Sequence, residues 1–297
     1  MPAEGIAFAP RADLLTFEEI VRLSEVLAGL GVNKVRLTGG EPLSRRGLPD
    51  LVERLGPLFD QLAMTTNGVL LPPHLERLIE GGLTNFNLSL DTLRPDRFFE
   101  ITRRDEFMAT WRALELLLAK GLRTKINVVV MAGQNDDELL DFVALTKDRR
   151  VEVRFIEAMP FNEGDGNRHL FLSAPAIRQH ILSGYPDLTA DGGDRHASAL
   201  RYRVPGHLGT VGIIPAYTRS LCGTCNRLRL TPKGTLLNCL YATKGLELRA
   251  LLRSGVSNAD LVDLFKAFVA GKHRDGHLTE RLEQSGRNFA AMTSIGG

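Results

Sequence analysis

The segment Lys34-Val35-Arg36-Leu37-Thr38-Gly39-Gly40-Glu41-Pro42 decides how this chain of 297 residues is interpreted. Its first five residues have the pattern of a short strand, in which Arg36 and Thr38 share one face. The two glycines that follow let the backbone approach a ligand closely, and Glu41 can accept a hydrogen bond from an amine. A Gly-Gly pair after a strand is also typical of an ordinary turn. The segment therefore predicts either a ligand loop or a turn at the end of a strand.

Helical and strand patterns alternate around this segment as far as about residue 160. Thr16 and Glu19 predict a capping box for a first helix that runs through Leu30. Further helices are predicted at Leu48 to Phe59, Pro73 to Glu80, Pro95 to Ile101, Phe107 to Lys120 and Asp136 to Lys147. Strands are predicted at Lys34 to Thr38, Leu62 to Thr66, Asn85 to Leu90, Thr124 to Met131 and Val151 to Ile156. This repetition predicts an α/β fold with a parallel sheet and right-handed crossovers.

The polar residues of these strands favour a barrel over an open sheet. Parallel strands covered by helices on both faces read as near-continuous hydrophobic runs. Here polar residues recur two apart, at Arg36 and Thr38, Thr65 and Asn67, Asn87, Ser89 and Asp91, and Lys125 and Asn127. A polar barrel lumen that binds substrate at the C-terminal ends of the strands explains this pattern. The alternative is a set of edge strands that show polar residues to water.

All three cysteines of the chain fall in one stretch, at Cys222, Cys225 and Cys239. Two thiolates separated by two residues, with a third from the far side of a hairpin, can close on one metal centre. The spacing leaves open an iron–sulfur cluster, thiols without a metal, or a zinc ion completed by His207, His273 or His277. Disulfides fit poorly because the number of cysteines is odd.

The composition is that of a soluble globular protein, with 43% hydrophobic and 24% charged residues. A net charge of +2 is too small to indicate nucleic acid or an anionic membrane as a partner. No apolar run approaches the roughly 20 residues of a membrane-spanning helix. The βα pattern loosens after residue 159, so two domains are predicted, residues 1–159 and a smaller one at 160–297.

Several motifs occur in the order and spacing of one known family. They are Arg36 through Pro42, Thr65-Thr66-Asn67-Gly68, Asn87 through Asp91, Lys125-Ile126-Asn127, Arg154 through Met159, and Cys222 through Arg229 with Cys239. The chain resembles the radical S-adenosylmethionine GTP 3′,8-cyclases of molybdenum cofactor biosynthesis over essentially its whole length. The resemblance implies an incomplete parallel barrel of the (βα)6 type with a smaller C-terminal iron–sulfur domain.

The resemblance also implies three sets of site residues. S-adenosylmethionine is expected at Gly39, Gly40, Glu41, Ser89 and Met159. GTP is expected at Arg36, Thr65, Lys125, Arg227, Leu228 and Arg229, and Arg154 is a further cavity residue and the candidate catalytic side chain. A C-terminal 4Fe–4S cluster, whose open iron meets the guanine ring, is expected on Cys222, Cys225 and Cys239. For any one of the arginines, a surface ion pair is the alternative.

The sequence departs from the family pattern at its N-terminus. The first barrel strand and the Cys-x-x-x-Cys-x-x-Cys loop of a second 4Fe–4S cluster are not in it, so Met1-Pro2 is expected to follow that loop directly. A truncated gene model, a fragment or an isoform with an internal start is therefore expected. The full family reaction uses a 5′-deoxyadenosyl radical to convert GTP to 3′,8-cyclo-7,8-dihydro-GTP. The alternative is a catalytically inactive GTP-binding iron–sulfur fragment or isoform.

The resemblance implies partners as well. They are GTP, an electron donor, the downstream cyclic pyranopterin monophosphate synthase and a second copy of the chain in a homodimer. The compartment is expected to be the cytoplasm for a bacterial protein and the mitochondrial matrix for a eukaryotic one. The terminal Gly296-Gly297 is expected to reach into the active site, with a frayed end as the alternative.

Overall fold

The structure, a computed structural model, describes residues 9–159, 169–192, 196–218 and 221–283. In chain order the helices are α1 (Phe17–Gly29), α2 (Leu48–Leu55), α3 (Leu75–Glu80), α4 (Pro95–Thr102), α5 (Phe107–Ala119), α6 (Leu139–Ala144), α7 (Ala174–Gly184), α8 (Leu248–Arg253), α9 (Asn258–Ala270) and α10 (Gly276–Glu283). The strands are β1 (Lys34–Leu37), β2 (Gln61–Thr66), β3 (Leu83–Ser89), β4 (Arg123–Val130), β5 (Val151–Glu157), β6 (Thr189–Ala190), β7 (Leu200–Arg203), β8 (Thr210–Ile214), β9 (Arg229–Leu230), β10 (Thr235–Leu237) and β11 (Leu246–Glu247).

Each helix and strand predicted from the sequence is present, with ends that differ by a few residues. The predicted capping box at the start of α1 is confirmed, because the Glu19 amide donates to Thr16 Oγ1 at 3.2 Å and the Thr16 amide donates to Glu19 Oε2 at 2.8 Å. Helix α2, which begins at Leu48 as predicted, ends earlier than Phe59. Its last turn is a 3-10 helix at Gly56–Leu58, which contains a proline that has no amide hydrogen to continue the α-helix.

Contacts divide the described chain into two units. Unit one holds the described residues within 1–64, 74–84 and 226–297, and unit two holds those within 65–73 and 85–225. Strands β2 and β3 each contribute residues to both units. Each unit is made of segments that are not consecutive in the chain. The predicted domains at residues 1–159 and 160–297 divide the chain at one point, so they stay a prediction.

Unit two is built on a row of strands in the order β3-β4-β5-β8-β7-β6. The pairs β3 with β4, β4 with β5, and β5 with β8 are parallel, whereas β7 pairs antiparallel with both β8 and β6. One face of these strands packs against α5, α6 and α7 in a hydrophobic core that includes Ile126, Val153, Phe155, Val211 and Ile213. The predicted α/β fold with a parallel sheet is confirmed, and a partial barrel is consistent with it.

Strand β8 is a parallel strand that the sequence analysis did not predict. It pairs with β5 from Glu152 opposite Thr210 to Ile156 opposite Ile214, so the parallel sheet continues beyond residue 160. Its five residues, Thr-Val-Gly-Ile-Ile, are almost all buried and lack alternation. A short run of this kind, interrupted by a glycine, gives no clear strand signal in a sequence.

Unit one contains the parallel pair of β1 and β2, with Lys34 opposite Gln61 and Leu37 opposite Met64. It also contains a small antiparallel sheet in the order β11-β10-β9. Side chains from α1, β10, α8 and α9 form its core, which includes Leu23, Leu236 and Phe265. Among the described residues, no helix combines the length and the apolar character needed to cross a membrane.

Candidate active site

The register of the parallel strands in unit two assembles two rows of polar residues on the face opposite the core. In the first row Lys125 lies between Asn87 and Glu152, and in the second row Asn127 lies between Ser89 and Arg154. The prediction that polar residues two apart share a face is therefore confirmed for these strands. The edge-strand alternative is wrong for β4 and β5, because each has a parallel partner on both sides.

Glu152 is the acidic centre of these rows, and sequence reasoning missed it. Its Oε1 accepts a hydrogen bond from Arg154 Nε at 2.6 Å, and its Oε2 lies 3.5 Å from Lys125 Nζ. Burial alone would raise the pKa of Glu152, but the charges of Arg154 and Lys125 outweigh it and hold the pKa below its usual value. Its signal was available in the sequence, because Glu152 and Arg154 stand two apart in a hydrophobic strand.

Gly212 of β8 makes room for this cluster. It lies opposite Arg154 in the register of β5 and β8. A methyl group at this position would come within 3.2 Å of Arg154 Cγ and 3.4 Å of Glu152 Oε1. Because Gly212 has no side chain, the side chains of Glu152 and Arg154 can lie against β8 at this position. Gly212 thus has two effects: it weakens the sequence signal of β8, and it leaves space for the side chains of Arg154 and Glu152.

Asn127 of the second row carries a side-chain acceptor that the described residues leave without a hydrogen bond. Its Oδ1 is buried and has no partner among the described residues. Such a group usually bonds to protein, water or a ligand. In the first row Asn87 Nδ2 donates to Thr65 Oγ1 at 3.3 Å. Thr65, a predicted GTP residue, therefore lies next to the row that contains Lys125. The face thus offers a cation pair, an amide acceptor and hydroxyl groups.

The Gly-Gly-Glu-Pro segment lies in unit one and forms the turn after β1. Gly39 has a φ of +145°, a conformation that essentially only glycine adopts, whereas the backbone of Gly40 is ordinary. Glu41 Oε1 accepts from the Leu43 amide at 3.1 Å and so caps the 3-10 helix at Pro42–Ser44. The segment is therefore a turn, and its role as a ligand loop stays a prediction.

Arg227, Leu228 and Arg229 also lie in unit one. Leu228 and Leu230 pack against the core of that unit, so alternation places Arg227 and Arg229 on the opposite side of the chain. Arg36 is exposed on β1. In unit two, Met159 follows the end of β5 and is partly buried. Gly296-Gly297 lies outside the described residues.

The three cysteines are partly buried, and none forms a disulfide. Cys222 and Cys225 lie in unit two on one turn, closed by a 3.0 Å hydrogen bond from the Cys225 amide to the Cys222 carbonyl. Cys239 lies in unit one, where the Tyr241 amide donates to its Sγ at 3.4 Å. Thiol groups are the ligand type that iron–sulfur clusters use.

The described residues hold no assembled group of three or more His, Cys, Asp or Glu side chains that could bind a metal ion. The ligand set of Cys222, Cys225 and Cys239 therefore stays a prediction. One histidine considered for zinc is engaged elsewhere, because His207 Nδ1 lies 2.8 Å from Thr146 Oγ1 and its ring packs edge-on against Tyr185.

Comparison with known families and structures defines the class of protein. The radical SAM superfamily model matches residues 4–146, and the model named Molybdenum Cofactor Synthesis C matches residues 151–278. A crystal structure of Streptococcus suis SuiB aligns with a TM-score of 0.57 at 15% identity, covering 94% of this chain and 71% of that one. SuiB bound to S-adenosylmethionine aligns with a TM-score of 0.52 at 17% identity, covering 91% and 61%. These likenesses show the fold, which is that of a radical SAM α/β protein.

Curated relatives narrow the class to a family. A GTP 3′,8-cyclase of Heliobacterium modesticaldum is 40% identical over 302 residues, which cover 100% of this chain and 92% of that protein. One from Moorella thermoacetica is 38% identical with the same coverage, 100% and 92%. Molybdenum cofactor biosynthesis protein 1 of Drosophila melanogaster is 40% identical, and the chain spans 56% of its length. The chain belongs to the GTP 3′,8-cyclase family, and its radical SAM membership implies S-adenosylmethionine and a 4Fe–4S cluster.

The two adjacent glycines after β1 provide a test of the turn. Gly39→Ala should lower the free energy of unfolding by about 1–3 kcal/mol, because alanine does not adopt its φ without strain. Gly40→Ala should change it by no more than about 0.5 kcal/mol, since the site is open and the φ is ordinary. Urea denaturation measures both. Equal losses would show that the turn does not depend on the conformation of Gly39.

Asp91, which follows Ser89-Leu90, makes the stability of the fold depend on pH. Burial raises its pKa to about 6, although a 2.8 Å hydrogen bond from the Val129 amide opposes this. Because its pKa is higher in the folded protein than in the unfolded chain, folding favours protonated Asp91. The contribution of Asp91 to the free energy of unfolding is therefore fully present below about pH 4 and is lost as the pH rises through about 6. The free energy of unfolding of the wild type minus that of Asp91→Asn should fall between pH 5 and 7.5 in urea titrations. A difference that is constant with pH would contradict this.

Proposed function

We propose that this chain acts as a GTP 3′,8-cyclase, which converts GTP to 3′,8-cyclo-7,8-dihydro-GTP in the first step of molybdenum cofactor biosynthesis. The observation that carries the proposal is the pair of polar rows in unit two, where Lys125 and Arg154 flank Glu152. Relatives named GTP 3′,8-cyclase that cover the whole chain support it.

The proposed substrate site uses cations for the triphosphate. Lys125 is one-quarter exposed, and Arg154 is 9% exposed beside it, so both are partly shielded from water. Charge-assisted contacts to phosphate are stronger in such places than at an open surface. Glu152 holds the Arg154 guanidinium in one orientation before substrate arrives. We assign Arg36, Thr65, Lys125, Arg227, Leu228 and Arg229 to GTP, with Arg154 as a further cavity residue and the proposed catalytic side chain.

The cofactor side of the proposal rests on the turn after β1 and on the cysteines. Gly39, Gly40, Glu41, Ser89 and Met159 would hold S-adenosylmethionine, and Cys222, Cys225 and Cys239 would hold a C-terminal 4Fe–4S cluster. When bound, S-adenosylmethionine and the reduced N-terminal 4Fe–4S cluster expected of the family would supply the radical that removes the ribose 3′ hydrogen. The chain itself orients the nucleotide and excludes water, with the Asn127 amide and Ser89 hydroxyl placed along one row.

An electron donor, the next enzyme of the pathway and a second copy of the chain are proposed partners. The domains at 1–159 and 160–297 are likewise proposed, as a barrel portion and an iron–sulfur portion. The sequence contains no cysteine besides Cys222, Cys225 and Cys239. This observation favours, as a second candidate, a GTP-binding iron–sulfur protein that generates no radical.

Substrate binding can be tested with GTP and guanosine on the same variants. Arg227→Ala and Arg229→Ala should each weaken GTP binding by about 1.5–3 kcal/mol, because each would remove a charge-assisted contact to phosphate. The loss should shrink for guanosine, which has no phosphate. Isothermal titration calorimetry measures the affinities.

Arg54→Ala serves as the control, since Arg54 is a surface residue whose guanidinium pairs with Glu18 at 3.1 Å. Its GTP affinity should equal that of the wild type. Equal losses of affinity for GTP and guanosine in the Arg227 and Arg229 variants would contradict this assignment. They would show that these arginines contact the guanine base or stabilise the fold.

A further inference from the structure

Glu157 is a fully buried carboxylate at the C-terminal end of β5, with 0% exposure. Its Oε1 accepts from the Ala174 amide at 2.6 Å and from Thr218 Oγ1 at 3.0 Å. Its Oε2 accepts from the Tyr217 amide at 2.9 Å and from the Thr218 amide at 2.8 Å. Four donors on two oxygens satisfy an ionised carboxylate. One side chain thus ties β5 to two other segments.

The two segments are the start of α7 and the turn at Tyr217-Thr218. Ala174 is the first residue of α7, so the carboxylate meets the positive end of the helix dipole. The Tyr217 ring also packs edge-on against Phe171, with centroids 5.0 Å apart. The turn is therefore held by its backbone through Glu157 and by its ring through Phe171.

The Tyr217-Thr218 turn leads directly to the cysteine pair. Thr218 precedes Cys222 by four residues, and an extended chain of that length spans at most about 14 Å. An anchor at Thr218 therefore limits where Cys222 can lie. The cysteine turn itself has a second anchor, because His196 Nδ1 donates to the Thr224 carbonyl at 2.7 Å. Anchors thus lie at Thr218, four residues before Cys222, and at Thr224, between Cys222 and Cys225.

We propose that Glu157 is a positioning residue that fixes the Cys222 and Cys225 pair in place for cluster binding. The inference rests on the proposed ligand role of these cysteines. Glu157 acts through three backbone amides and the Thr218 hydroxyl, and it hydrogen-bonds to neither thiol. Its loss should release Cys222 and Cys225 but leave Cys239, which lies in unit one and bonds to its own Tyr241 amide, unchanged.

Glu157→Gln in the full chain tests the proposal. Whichever way the glutamine amide turns, its NH2 group faces two of the four donors, and the negative charge is gone. Glu138→Gln is the matched control, because Glu138 is also buried in unit two, at 1% exposure. It accepts from the Thr92 hydroxyl, the Leu93 amide and the Arg97 guanidinium, far along the chain from the cysteines. Thr218→Val, which removes one donor, is a milder second variant.

Two readouts are measured. In metal-free protein, iodoacetamide should alkylate Cys222 and Cys225 about tenfold faster in Glu157→Gln than in wild type, with Cys239 unchanged, as peptide mass spectrometry would show. In protein reconstituted anaerobically with iron and sulfide, iron should pass to a chelator about tenfold faster. Thr218→Val should give a smaller change at the same two cysteines, and Glu138→Gln should give none.

Unchanged alkylation of Cys222 and Cys225 in Glu157→Gln would overturn the proposal. Equal acceleration at all three cysteines, or the same effect in Glu138→Gln, would also overturn it, since either would show a general loss of fold stability. A wild-type chain that takes up no iron would contradict the ligand assignment of the proposed function. The alkylation ratio in metal-free protein would still decide whether Glu157 positions the pair.

Discussion

The hydrogen-bond register of β4, β5 and β8 is the constraint on which the candidate site depends. It sets Lys125 opposite Glu152 and Arg154 opposite Gly212. A shift of one residue would turn every polar side chain of a strand into the core and every core side chain out. The core residues Ile126, Val153 and Phe155 are completely buried, so such a shift is strongly disfavoured. Packing of the apolar face thereby fixes the chemistry of the polar face.

Strand β5 carries two carboxylates that are stabilised in different ways, the partly buried Glu152 and the fully buried Glu157. Glu152 stands on the polar face and is balanced by Arg154 and Lys125. Glu157 stands five residues later, on the opposite face by strand alternation, and is balanced by amides and one hydroxyl. An unpaired charge in either place would destabilise the fold by several kcal/mol. The pairing of Glu152 leaves Lys125 and Arg154 in place to bind an anionic substrate. The hydrogen bonds of Glu157 hold the turn at Tyr217-Thr218.

The sequence predicted what depends on local pattern. The Thr16 capping box, the alternating helices and strands, and the polar faces of β3 and β4 are all read within a few residues. Glu152 could have been found by the same period of two that found Lys125. Glu157 could not, because its partners lie 17, 60 and 61 residues away and become neighbours only through the fold. The spacing of Cys222, Cys225 and Cys239 predicts a ligand set, and their assembly around one metal stays a prediction.

The central claim is that this chain, joined to a cluster-binding segment of the family type, binds and cyclises GTP, and product analysis tests it most directly. The chain, preceded by a family-type Cys-x-x-x-Cys-x-x-Cys segment, would be reconstituted with iron and sulfide and given GTP, S-adenosylmethionine and a reductant without oxygen. The account predicts 3′,8-cyclo-7,8-dihydro-GTP together with 5′-deoxyadenosine by mass spectrometry. The formation of 5′-deoxyadenosine with GTP unchanged, although GTP binds, would contradict it.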